Sequence, residues 1–206
     1  MQAHADFLPL LRPFDLDVLD RSAAVAYGVW PDLRLAYFNA FWERFAAEND
    51  GQPEIARSWP LGRPISDALP EALRPNYLAR FRACLAAQEP WQHVYECSSD
   101  LTRRWFHMTV YPLDQAGGLL FVHSLVVEEP IPAGDAHPPL EGLYRRSDGF
   151  VRQCAYCRRV ERADQPESWD WVPKWVKRPP ARTTHGICPV CDNYYLFEVQ
   201  QGNSTT

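Results

Sequence analysis

Two cysteine pairs, Cys154-Ala-Tyr-Cys157 and Cys188-Pro-Val-Cys191, stand 30 residues apart and constrain what the last third of this chain can become. A gap of two residues lets both sulfurs of one tight turn face a single ion. Two such turns supply four thiolates, the tetrahedral set that zinc takes in closed structural sites. Four protein ligands leave no position for a reactive water, so such an ion holds structure and does no chemistry. The surrounding stretch, about 58 residues, is too short to build a sufficient apolar core, and coupled metal binding would supply the missing stability. An iron or iron–sulfur centre also takes four cysteines. A redox pair expects one C-x-x-C beside a βαβ unit, and disulfides expect an oxidising compartment. Zinc is the expected cofactor, with Cys154, Cys157, Cys188 and Cys191 as its ligands.

Three tryptophans, Trp169, Trp171 and Trp175, fall between the pairs and are expected to form a small core around the ion. His185, three residues before Cys188, is either a donor to a sulfur or carbonyl or an ordinary turn residue. Seven cations flank the knuckles: Arg158, Arg159, Arg162, Lys174, Lys177, Arg178 and Arg182. Cations near aromatics can bind phosphate. Here Glu161, Asp164, Glu167 and Asp170 are interleaved with them, which reads as a solvated face and argues against nucleic acid.

The chain has 206 residues, of which 46% are apolar, and a net charge of -5. That charge gives no electrostatic case for a general nucleic-acid or membrane binder. No apolar run approaches the ~20 residues of a membrane span, and the polar, acidic start does not read as a secretory signal, so a cytoplasmic protein is expected. Residues 1–130 carry no lysine and a net charge of -6, whereas residues 131–206 carry +1. Between them, Pro130, Pro132, Pro138 and Pro139 lie in a stretch that reads as a semi-rigid linker. The expected organisation is a first domain over 1–128, a proline-rich linker over 129–142 and a metal-binding module over 143–200. The tail 201–206 is expected to fray.

In the first part, Phe14–Arg21 reads as a short helix, and Ala23–Trp30 and Leu33–Phe38 as strands around a Pro31-Asp32 turn. Asn39 can cap a helix whose apolar face carries Phe38, Phe41, Trp42 and Phe45. Glu71–Gln88 is the longest helical pattern, striped by Leu73, Tyr77, Leu78, Phe81 and Leu85. Trp91–Ser98, Arg104–Tyr111 and Leu119–Val127 read as three closing strands. The amphipathic stretch Phe7–Leu19 must cover something, either a second copy in a homodimer or its own sheet.

The order is α+β, and the residues resemble those of PAS domains over about 16–128. Leu35-Ala-Tyr-Phe-Asn39-Ala-Phe-Trp42 is similar to the family's strand-to-helix junction. Arg104-Trp105-Phe106, Tyr111-Pro112-Leu113 and Phe121-Val122-His123 are similar to its closing hairpin. The resemblance implies a five-stranded antiparallel sheet with helices over one face. Leu125-Val126-Val127 stands where relatives that drive kinases carry an Asp-Ile-Thr-like triplet, so no coiled-coil relay is expected. Residues 152–195 in turn resemble a C-terminal module of bacterial signalling proteins, on the strength of Cys154-Ala-Tyr-Cys157-Arg-Arg-Val and His185-Gly-Ile-Cys188-Pro-Val-Cys191.

No histidine stands on the long helix for haem, and Cys84 lacks the asparagine–cysteine–arginine context of photosensing flavin relatives. Trp42, Tyr77, Phe81, Tyr95, Trp105 and Phe106 are enough aromatics to line a small-molecule pocket and enough to fill one. Cys84 and Cys97 are expected as buried thiols. No phosphate-cradling loop, G-x-S-x-G elbow or H-E-x-x-H pair occurs, so no enzyme is expected. The leading expectation is a signal-transduction or adaptor protein with a protein partner. The alternatives are a transcription-associated nucleic-acid-binding protein and a thiol or metal redox switch.

Overall fold

A computed structural model describes residues 1–49 and 51–196. The expected fraying tail, 201–206, lies outside them. The fold is α+β and divides into two compact units. Unit 1 takes residues 1–69, 73–94 and 106–126; unit 2 takes 70–72, 95–105 and 127 onward. Residues 95–105 and 127–128, which the sequence groups with the first domain, thus cluster with unit 2.

The large sheet contains β1 (Gln2–Ala3), β2 (Val25–Val29), β3 (Leu35–Phe38), β4 (Trp91–Glu96), β5 (Thr102–Leu113) and β6 (Gly118–Pro130), in the order β1-β3-β2-β6-β5-β4. Helices α1 (Leu16–Arg21), α2 (Ala40–Glu48), α3 (Glu54–Ser58) and α4 (Arg74–Ala87) complete unit 1. The sheet has six strands, not the expected five. The extra one is β1, whose Gln2 and Ala3 pair antiparallel with Phe38 and Tyr37.

What β1 introduces explains why it forms. The 3-10 turns of Ala5–Leu11 follow it and bury Phe7 and Leu11 completely. Phe7 rests on Gly28, where an added Cβ would enter its ring. Glycine is therefore needed at 28 for close approach, even though it weakens a strand interior. Phe7, Leu11, Ala26, Tyr37 and Leu120 form one cluster, with Phe14 and Leu19 packed against it. The amphipathic N-terminal stretch thus covers its own sheet.

Register places Tyr27 beside Phe38 and Phe121, so all three side chains share the other face. Aromatic rings crowd there. Tyr27 stacks on Phe121 at 4.7 Å and meets Trp42 edge-on at 5.3 Å. Phe81 of α4 meets Phe121 at 5.0 Å and 88°. Phe45 meets Phe106 at 5.8 Å. Four of the six aromatics considered as pocket lining (Trp42, Tyr77, Phe81 and Phe106) are thus engaged with other rings of this unit.

Asn39 joins three elements. Its side chain is fully buried, which is costly for an amide unless every bond is made. Its Oδ1 accepts from the Trp42 N–H at 3.1 Å, capping α2 as the sequence predicts, and from the Ala26 N–H at 3.0 Å. Its Nδ2 donates to the carbonyls of Leu19 at 2.8 Å and Ala24 at 2.9 Å. Replacing Asn39 with alanine would strand these backbone groups at once. The cost exceeds the ~1 kcal/mol of a simple lost cap.

Burial also sets a pH dependence. Loss of hydration holds His123 down at about 4; burial, aided by the Arg80 charge, holds His93 at about 4 as well. Unfolded, each titrates near 6.5. Between those values the unfolded chain binds more protons, so stability is complete above about pH 6.5 and falls as pH drops toward 4. The expected slope is on the order of 1.4 kcal/mol per pH unit for each histidine. Urea midpoints followed by circular dichroism should be flat above pH 7 and decline below it. His123→Phe should flatten the decline; an unchanged slope in that variant would exclude His123 as a source.

Candidate metal centre

Unit 2 holds a second sheet of short strands: β7 (Val151–Cys154), β8 (Val160–Glu161), β9 (Trp169–Asp170) and β10 (Thr183–Gly186), in the order β10-β7-β8-β9. Short helices α5 (Glu141–Tyr144), α6 (Pro173–Lys177) and α7 (Pro189–Cys191) accompany them. The core is Tyr144, Val151, Val160, Val172 and Trp175. Trp175 and Trp171 are buried as expected, while Trp169 is only half-buried.

Residues 129–142, expected as a linker, are part of this unit. Proline removes only its own donor, and the other residues still bond. Ile131 N–H donates to the Leu101 carbonyl, and His137 N–H to that of Trp171. Arg103 pairs with Glu129 and Asp135, both at 3.3 Å.

The metal candidates are brought together by strand direction. β10 runs parallel to β7, with Gly186 opposite Cys154. Parallel strands end at the same edge, so both knuckles emerge there. Ala155 N–H reaches back to the Gly186 carbonyl at 2.8 Å and ties the first knuckle to the second strand. The first knuckle closes through Arg158 N–H to the Cys154 carbonyl at 3.1 Å, with Arg158 itself left-handed at φ 63. In the second, Pro189 opens α7, where its fixed φ suits a first helical turn and its missing N–H costs nothing.

All four cysteines are buried, and their sulfurs lie within 4.8 Å of one another. Cys157 and Cys188 Sγ stand 3.7 Å apart. A disulfide would need about 2.05 Å. Four sulfurs about 2.3 Å from one zinc stand about 3.8 Å apart, so the spacing fits a tetrahedral ion. Backbone donors face the sulfurs: Cys188 N–H to Cys154 Sγ and Cys191 N–H to Cys188 Sγ, both 3.4 Å. Such bonds favour the thiolate form. The thiols of Cys157, Cys188 and Cys191 also bond to Cys154 and hold it far below the ordinary thiol range. Cys191 and Cys157 are pushed up, chiefly by Cys154. Four buried cysteines with this geometry can bind a metal.

His185 lies on β10 opposite Gln153, with its side chain exposed. Of the flanking cations, Arg159 pairs with Glu96 at 3.5 Å, Arg162 with Asp164 at 2.8 Å and Lys177 with Asp100 at 3.4 Å. Arg182 lies over the Phe150 ring. Outside the cluster, Cys84 is buried as expected, but Cys97 is exposed. β4 turns Glu96 inward, and alternation turns Cys97 outward.

Sequence reading missed what stands beside the cluster. Cys188, Cys191, Trp105, Trp169, Tyr194 and Arg159 help to line a cavity of about 500 Å³ within unit 2. Tyr195 is fixed under it, stacked on Tyr156 at 4.1 Å, with its hydroxyl accepting from Glu96 N–H at 3.2 Å. Two of these walls, Trp105 and Trp169, are far from the knuckles in sequence. The one local signal is Tyr194-Tyr195, three residues after Cys191.

Cys154→Ser or Cys188→Ser removes a thiolate from the closed set. Each variant should fall from one bound metal per chain to a small fraction of one and lose the protease resistance of unit 2, by elemental analysis and limited proteolysis. Full metal content in either variant would overturn the assignment of that cysteine.

No family model matches the chain, and no curated protein matches it. Among solved structures it is similar in fold to a PAS domain from Colwellia psychrerythraea, at 11% identity, covering 53% of this chain and 92% of that one, TM-score 0.40. A phage VqmA–DPO complex aligns at 15% identity over 58% of this chain and 54% of that one, TM-score 0.41. The PAS domain of nitrogen regulation protein NR(II) from Vibrio parahaemolyticus aligns at 16% identity over 56% and 96%, TM-score 0.30.

Proposed function

We propose that this chain is a cytoplasmic signalling adaptor that binds a protein partner through a zinc-stapled module. The observation that carries this reading is the position of the metal candidates. Cys188 and Cys191 belong both to the closed four-sulfur cluster and to the wall of the cavity. An ion held by four cysteines has no free position for chemistry, so what it would contribute is a surface. The set of four sulfurs and the spacing of 3.7 Å favour zinc over an octahedral, oxygen-preferring ion. The resemblance of unit 1 to PAS domains supports a signalling role, and fold alone does not specify the signal.

The nucleic-acid alternative needs free cations, yet three of the seven flanking ones are committed to carboxylates. A redox switch would use the same four sulfurs. It differs in expecting zinc release under mild peroxide at intact protein.

The test is made on the full chain purified under reducing conditions. The adaptor reading expects a colourless protein with one zinc, no salt-steep affinity for DNA or RNA, and cross-linked protein complexes in the native cell that Cys188→Ser abolishes. A sulfur-to-iron band in the visible would replace the staple with a redox centre. Nucleic-acid affinity falling steeply between 50 and 200 mM salt would favour the transcription-associated reading, by counterion release of roughly one ion per phosphate contact.

A further inference from the structure

The cavity beside the second knuckle carries enough chemistry to define its ligand. We propose that it binds a short proline-rich segment of a partner protein, extended and carrying a basic residue next to its prolines; this rests on the adaptor reading above.

The walls are aromatic and set at steep angles. Tyr194 meets Trp105 at 6.2 Å and 64°, and Tyr195 at 4.8 Å and 85°. With Trp169 they give the cavity an aromatic lining. Tyr194 is 48% exposed and Val190, also lining the cavity, 75% exposed. A polyproline II helix docks on aromatic-lined grooves. Its rings repeat every third residue, and it is already extended, so little conformational freedom is lost on binding.

The charges of the cavity point to a cation. Arg159 is committed to Glu96, whose side chain is 5% exposed, and Arg103 to Glu129 and Asp135. Glu167 stands exposed in the lining. The carboxylates Glu96, Glu129 and Glu167 outnumber the two arginines, so the site favours a lysine or arginine on its ligand and disfavours phosphate.

The test uses the full, zinc-loaded chain and a labelled peptide of leucine and proline ending in one arginine, followed by fluorescence anisotropy. Saturable binding is expected, about tenfold tighter than for the same peptide ending in glutamate or with its prolines replaced by alanine. Trp169→Leu keeps an apolar side chain and removes one aromatic wall; Val190→Asp changes an exposed wall. Each should weaken binding about tenfold while zinc content and circular dichroism stay unchanged. Glu167→Lys should invert the preference between arginine and glutamate peptides. Equal affinity for the two peptides, wild-type affinity in both wall variants, or a dimer that Val190→Asp dissolves without any peptide binding would each overturn the proposal. If no peptide binds while zinc-dependent complexes persist in cells, the peptide site falls and the adaptor reading stands. If neither is seen, both fall.

Discussion

The convergence of four sulfurs is the constraint on which the second unit depends. Its strands hold two to four residues each, too few for a sheet to stand on its own ladder. Its core is small, and it also buries Gln153 and Glu161. These polar groups are satisfied only in the assembled fold. Gln153 donates to the carbonyls of Arg158 and Trp175, and Glu161 receives Arg146 and Arg152. Gln153 sits one residue before Cys154, and Arg158 one after Cys157. The bonds that satisfy the core are therefore the same bonds that shape the first knuckle. Closing the sulfurs and completing the core are one event.

Unit 1 reaches a similar end with an amide in place of an ion. Asn39 makes four short bonds to α1, β2 and α2 from a fully buried position. A buried amide is costly in any alternative register, so Asn39 stabilises one arrangement by penalising the others. Phe7 on Gly28 acts by shape alone. Polar specificity and steric fit thus fix the same sheet.

What the sequence disclosed follows from how local each signal is. The four cysteines were legible because a C-x-x-C turn is complete within four residues. The Asn39 cap and the strands of the closing hairpin were legible for the same reason, since their patterns repeat over one or two turns of chain. β1 was not. Two residues carry no periodicity, and the reason they pair lies 26 residues away at Gly28. The region 129–142 read as a linker because prolines dominate it, while its bonds run to Leu101, Arg103 and Trp171, which spacing cannot anticipate. Cys97 was misplaced because its burial depends on which face of β4 turns inward. The cavity was invisible for the strongest form of this reason. Trp105, Trp169 and Tyr194 come from β5, β9 and the chain after α7, and only the tertiary fold sets them around one cavity.

This arrangement has a consequence for how the second unit would work as an adaptor. A surface built from independent core residues persists while the core persists. Here Pro189 and Val190 are held between two sulfurs of the cluster, and the chain reaches Tyr194 within one further turn. This side of the cavity wall is carried by the knuckle itself. On the proposed reading, metal binding and partner binding are coupled, and the partner strengthens metal binding by the same factor with which the metal strengthens partner binding.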